Sequence, residues 1–109
     1  MISWEDFEKL DIRTGTIIEA LPFEKAKKTA YKLKIDFGQE GIKNSSAQIT
    51  NLYELNELVG KQIIAVINFP PKQIADFMSE CLVLGVYNKN KDVILLQPER
   101  QTDNGNKIG

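Results

Sequence analysis

The sequence predicts an all-β fold, a compact five-stranded barrel with a short N-terminal helix and a second helix between strands three and four. Three observations predict it. "AYKLKIDFG" alternates Tyr31, Leu33, Ile35 and Phe37 against Lys32, Lys34 and Asp36, the two-residue period of a half-buried strand. "KQIIAVINF" and "CLVLGVY" are nearly continuous apolar runs bounded by turn residues, as in strands covered on both faces. Helical spacing long enough for a helix occurs around Trp4 and around Leu55, with one further amphipathic turn at Ile74, Phe77 and Met78.

Taken in order, Ser3 followed by "WEDFEKL" predicts a short helix, with Ser3 as N-cap and Asp6 in the first turn, where a carboxylate meets the positive end of the helix. Trp4, Phe7 and Leu10 recur every three residues, giving one apolar face that must be buried somewhere. "DIRTGTIIEALPF" places Ile12, Thr14, Thr16 and Ile18 on one side of a strand, with Gly15 marking a bulge or bend and Pro22 the end. After the lysine-rich connector and the Tyr31 strand, "GIKNSSAQIT" interleaves Asn44, Ser46 and Gln48 with Ser45, Ala47 and Ile49, a third strand with a hydrophilic face.

"NLYELNELVG" then switches to helical spacing at Leu52, Leu55, Leu58 and Val59, and Gly60 supplies a C-terminal stop. Pro70 and Pro71 cannot donate to a sheet, so the fourth strand must stop by Phe69. Ile74, Phe77 and Met78 recur at helical spacing and predict one amphipathic turn before the fifth strand. "DVILLQP" adds a short strand after the turn "NKNK". A helix between the third and fourth of five short strands is the pattern of the OB barrel, and residues 1–109 read as one such domain.

Composition narrows the function. With 42% hydrophobic and 27% charged residues the chain has the balance of an ordinary globular protein. Its longest apolar run, Ile63 to Ile67, is far short of the roughly 18 residues that span a bilayer. The acidic N-terminus does not resemble a secretory signal, so no membrane insertion and a cytoplasmic location are expected. There is no histidine, which removes Ser-His and Cys-His chemistry together with most zinc sites. The single cysteine, Cys81, lies in an apolar run where an inert buried thiol is expected. No catalytic residue, cofactor or metal is expected.

The candidate binding residues follow from charge and face. "KAKKTAYKLK" holds Lys25, Lys27, Lys28, Lys32 and Lys34 with no acid among them, while the net charge is −1. Such a cluster contacts phosphates or is a solvated face. Lys28, Lys32, Lys34, Lys43 and Ser79 are the nucleic-acid candidates. If the faces of strands two and three coincide, Lys32 and Lys34 join Asn44, Ser46 and Gln48 on the sheet surface where OB folds hold extended ligands. Phe69, Pro70, Ile74, Phe77 and Met78 either cap the open barrel end or form a ligand-facing lip, Met78 being adaptable to varied apolar side chains. Arg13 pairs with a local carboxylate or reaches a ligand. Trp4 and Phe7 fit a subunit interface, whereas Asp76 and Glu80 fit surface charge.

On "FEKLDIRTGTI" (7–17), "LKIDFG" (33–38), "LVGKQIIAVINF" (58–69) and the spacing to "SECLVLG" (79–85), nearly the whole chain resembles the tRNA-binding domain family, found appended to methionyl- and tyrosyl-tRNA synthetases and as small free-standing dimers. "NFPPKQIADFMSE" (68–80) and "LLQPER" (95–100) look almost the same as segments of its CsaA-type secretion chaperone branch. The resemblance implies an OB-fold homodimer that binds exposed segments of unfolded or precursor polypeptides and cooperates with the translocation ATPase. The RNA-binding members carry a lysine where Thr29 stands, a glycine at Ser46 and a methionine at Leu82, while Ser79 matches them. The likeness thus implies at most weak tRNA binding. It also leaves the tail "TDNGNKIG" as either a flexible end or part of the subunit contact.

Overall fold

A computed structural model describes all 109 residues. The chain opens on α1 (Trp4–Glu8), whose start is fixed from both sides: the Ser3 hydroxyl accepts from the Asp6 N–H at 3.1 Å and the Asp6 carboxylate accepts from the Ser3 N–H at 3.0 Å. That bond from the Ser3 main chain, helped by Lys9, holds the Asp6 carboxyl below its ordinary pKa. Four longer elements follow, β1 (Ile12–Pro22), β2 (Tyr31–Asp36), β3 (Ile42–Ala47) and, after α2 (Leu55–Leu58), β4 (Gln62–Val66). The second half is built of short strands, β5 (Lys72–Ile74), β6 (Phe77–Ser79), β7 (Leu82–Val83), β8 (Gly85–Tyr87) and β9 (Val93–Leu95).

The main sheet has the order β3-β2-β1-β4-β7, with every neighbouring pair antiparallel. Its two ends meet where the Glu80 N–H donates to the Asn44 carbonyl at 2.8 Å, which bends the sheet into the nearly closed five-stranded barrel of an OB fold. The alternation read in β2 puts Leu33, Ile35 and Phe37 inside, against Ile17 of β1, Ile63 and Ala65 of β4 and Leu58 of α2. Burying each of these larger side chains contributes on the order of 1.5–3 kcal/mol, so this cluster supplies most of the driving force for closure.

Several elements differ from expectation. The bulge in β1 lies between Ile17 and Glu19 rather than at Gly15. Gly15 and Ile17 face the core by simple alternation, and the inserted residue, the exposed Ile18, passes the inward face on to Ala20 beyond it. Gly15 is instead a close approach, since a Cβ there would stand 2.7 Å from the Phe37 ring. The helix expected over residues 52–59 is confined to α2, with Leu52 and Val59 exposed and Gly60 at φ +95° ending it. β4 ends at Val66, before Phe69, because the Ile67 N–H turns to the Asp11 carbonyl and the Asn68 side chain binds both the Asp11 N–H and the Lys9 carbonyl. "CLVLGVY" forms two strands: β7 pairs with β4, and β8 pairs with β9 in a separate hairpin.

The largest departure is at residues 72–79. The helical spacing of Ile74, Phe77 and Met78 forms no helix; β5 and β6 make a β-hairpin in which Ile74 pairs with Phe77 across the two-residue turn Ala75-Asp76. Ala75 supplies the positive φ, +53°, that such a turn demands. The Lys25 ammonium meets the Asp76 carboxylate at 3.0 Å and holds its pKa below the ordinary value. The C-terminal tail also takes a definite place, since it lies along the first half of β1, with Thr14 exchanging main-chain bonds with Asn106 and Gly105.

Candidate functional site

The register of β2 on β3 aligns Lys32 with Ser46 and Lys34 with Asn44, so the two polar faces coincide on the outer wall as expected. Lys43 does not join them. It pairs with Ile35, whose side chain is in the core, and therefore lies on the opposite face of the sheet. Hairpin β5-β6 crosses this outer wall. Phe77 packs edge-on against Phe23 with ring centroids 5.3 Å apart, and the Lys32 ammonium sits 5.6 Å from one ring and 5.7 Å from the other. A cation over two rings is attracted by both quadrupoles, so Lys32 clips the hairpin tip to the barrel instead of standing free for a ligand. Beside it, Glu19, Leu21, Lys34 and Asn44 surround a small recess of 160 Å³.

Ser79 is likewise drawn into the framework. Its hydroxyl accepts from the Ser46 N–H at 3.1 Å, Glu80 takes the Asn44 N–H on its carboxylate at 2.9 Å, and the Ser45 hydroxyl donates to the Cys81 carbonyl at 3.0 Å. Residues 79–81 therefore seal the outer edge of β3. Burial pushes the Cys81 thiol up to about 11, keeping it protonated and unreactive at neutral pH. Arg13 pairs with Asp11 at 2.6 Å and donates to the Gly105 carbonyl at 3.0 Å, so it serves the local structure.

Two open grooves meet at Ser46 and Gln48. On one side, a 440 Å³ groove runs between the connector 23–30 and the hairpin, walled by Lys25, Lys27, Lys28, Lys72 and Ile74. Lys25 is paired with Asp76, while Lys27, Lys28 and Lys72 have no ion-pair partner. On the other side, a 390 Å³ groove is lined by Ile49, Leu82, Val83, Leu84 and Val93, with Tyr87 and Lys91 at its rim. Of the sequence candidates, Lys28, Ser46, Gln48 and Ile74 line these grooves. Phe69, Pro70 and Met78 are exposed but line neither of them.

Sequence reasoning missed Lys72 and the aliphatic wall. Lys72 stands apart from the other lysines in the chain and joins them only through the hairpin. Leu82 and Val83 read as interior strand, yet their strand is two residues long and leaves Leu82 exposed. Trp4 is 85% exposed and Phe7 half-buried, so the apolar face of α1 lacks a cover within one chain.

A family model described as a putative tRNA binding domain matches residues 12–107. The chain belongs to this family. Over 108 residues it is 37% identical to a methionine–tRNA ligase of Methanococcoides burtonii, aligning 99% of this chain with 16% of that protein. It is also 37% identical over 107 residues to the methionine–tRNA ligase of Leptospira biflexa, aligning 98% of this chain with 15% of that one. The chain thus spans about one sixth of the length of these curated relatives. Among solved structures it is similar to the CsaA chaperone protein of Picrophilus torridus, at 56% identity and a TM-score of 0.94 over the full length of both chains. It is similar also to chaperone CsaA of Bacillus anthracis, at 51% identity and a TM-score of 0.95, covering 100% of this chain and 99% of that one. The segments 68–80 and 95–100 that carried the chaperone likeness thus sit in a chain related to these proteins from end to end.

Proposed function

We propose that this protein is a non-enzymatic, export-related chaperone that acts in the cytoplasm as a homodimer and holds unfolded or precursor polypeptides. The observation that carries this reading is the pair of grooves meeting at Ser46 and Gln48, one lysine-walled and one aliphatic. A holding surface needs shallow apolar contact and polar groups for main chain, and it needs no reacting side chain. The end-to-end similarity to two structures named as CsaA chaperones supports it. The uncovered Trp4 supports a subunit contact through α1, which would set two groove pairs on one particle and raise affinity for a long chain by avidity. Hand-over of the bound chain to the translocation ATPase completes the proposed role.

A second reading, tRNA binding in trans, is favoured by the family match and by the unpaired Lys27, Lys28 and Lys72. Binding of an unfolded precursor and of tRNA, each measured across a salt series, separates the two. The chaperone reading expects precursor binding that survives moderate salt. Submicromolar tRNA affinity with a steep salt slope, and no precursor binding, would overturn it. Sedimentation tests the dimer: the native chain is expected to be dimeric and Trp4→Asp monomeric.

A further inference from the structure

The barrel wall has a gap beside the two grooves. Along the outer edge of β3, the Asn44 and Ser46 N–H groups are taken by Glu80 and Ser79. The outward row continues to Gln48, which is exposed and whose main-chain N–H has no hydrogen-bond partner. Opposite Gln48 the chain has already turned away, since β7 pairs with β4 and the Leu84 N–H goes to the Ile64 carbonyl. The aliphatic groove fills the space between, and the lysine wall begins on the other side of Ser46.

We propose that this gap takes an extended polypeptide segment that carries acidic residues next to an aliphatic stretch. Its main chain accepts from the Gln48 N–H, its carboxylates face Lys27, Lys28 and Lys72, and its aliphatic side chains enter the groove of Leu82, Val83 and Val93. This rests on the chaperone reading and specifies its substrate class. An unpaired strand donor between two side-chain grooves is the geometry of strand addition, in which main-chain bonds give affinity and the flanking grooves select side chains. Charge decides the polarity of selection. Lysines wall one groove and Lys91 rims the other, so a cationic segment is repelled at both ends. Tyr87 is the one aromatic ring of this groove, and the rest of its apolar wall is Ile49, Leu82, Val83, Leu84 and Val93; aliphatic contact therefore outweighs the successive stacked rings that hold unpaired bases, which favours a peptide over RNA.

The test uses the full chain and two labelled synthetic peptides with one shared leucine-valine stretch, preceded by glutamates in one and by lysines in the other. The acidic peptide is expected to bind about tenfold tighter at low salt, and the double variant Lys27→Glu/Lys72→Glu to reverse that order. Both lysines are exposed and unpaired, so the variant keeps the fold. Leu82→Ser is expected to weaken both peptides alike. On binding the acidic peptide, hydrogen exchange at the Gln48 amide is expected to slow by about tenfold or more. Equal binding of the two peptides, a preference for the cationic one, an unprotected Gln48 amide, or protection of Gln48 by tRNA alone would overturn the proposal. If an unfolded precursor still binds in those cases, only the substrate class is wrong; if it does not bind, the chaperone reading falls as well.

Discussion

Two residues carry sharp expectations of their own. Cys81 has a thiol pKa of about 11 in the folded protein against 9.0 for the free group, because burial disfavours the thiolate. The folded state therefore prefers the proton more than the unfolded state does. The stability this represents is complete below pH 9 and is lost as pH rises through about 11, with a full difference of about 2–3 kcal/mol. Urea unfolding at pH 7, 9 and 10.5 should show the native chain losing stability across that window relative to Cys81→Ala; parallel curves would refute the assignment. Gly15 is constrained by space. Its missing Cβ leaves room for the Phe37 ring, which an alanine would approach at 2.7 Å, with Ile35 at 2.8 Å. Both neighbours are fully buried and cannot yield, so Gly15→Ala is expected to cost about 1–3 kcal/mol by urea midpoint, as overpacking does.

At the scale of elements, the seam between β3 and residues 79–81 decides whether the barrel closes. It depends on side chains: Ser79 and Glu80 each accept a β3 main-chain N–H. Ser79→Ala leaves the half-buried Ser46 N–H without a partner, at an expected cost of about 1–3 kcal/mol. Exchange at the Ser46 amide should accelerate selectively while core amides of β1 and β4 hold their protection, and an unchanged Ser46 amide would refute the role. This seam was illegible in the sequence, where Ser79 read as a ligand residue. A helical spacing three residues long cannot be told from a hairpin by period alone. Ile74 and Phe77 stand three apart both in a helical turn and across a two-residue hairpin, and Ala75, with no turn signature, hid the difference. β2 was legible for the opposite reason. Its alternation runs over seven residues with one face wholly apolar, and a shift by one would put Leu33, Ile35 and Phe37 in water.

At the scale of the whole molecule, the five barrel strands and the placement of the two helices were legible because each long strand carries its own period, whereas the two small hairpins were not, and the closing contacts join residues 33 to 92 positions apart. No local pattern encodes such contacts. The C-terminal tail is the clearest case. The first half of β1 pairs with β4 on one side, and on the other the tail fills the edge that β2 leaves open: the Thr14 N–H donates to the Asn106 carbonyl at 3.0 Å, the Gly105 N–H to the Thr14 carbonyl at 2.7 Å, and the Ile108 N–H to the Ile12 carbonyl at 2.8 Å. Asn104 adds an acceptor for both the Thr16 hydroxyl and the Gln62 amide. At a net of about 1 kcal/mol per bond, ending the chain after Arg100 should cost about 3–5 kcal/mol, a large share of what a domain this size holds. It would also bare a β-strand edge, and bared edges recruit other chains. The truncated protein is therefore expected to unfold at markedly lower urea and to associate in a concentration-dependent way on gel filtration. An unshifted midpoint with an unchanged elution volume would mean that the tail rests on β1 without supporting it.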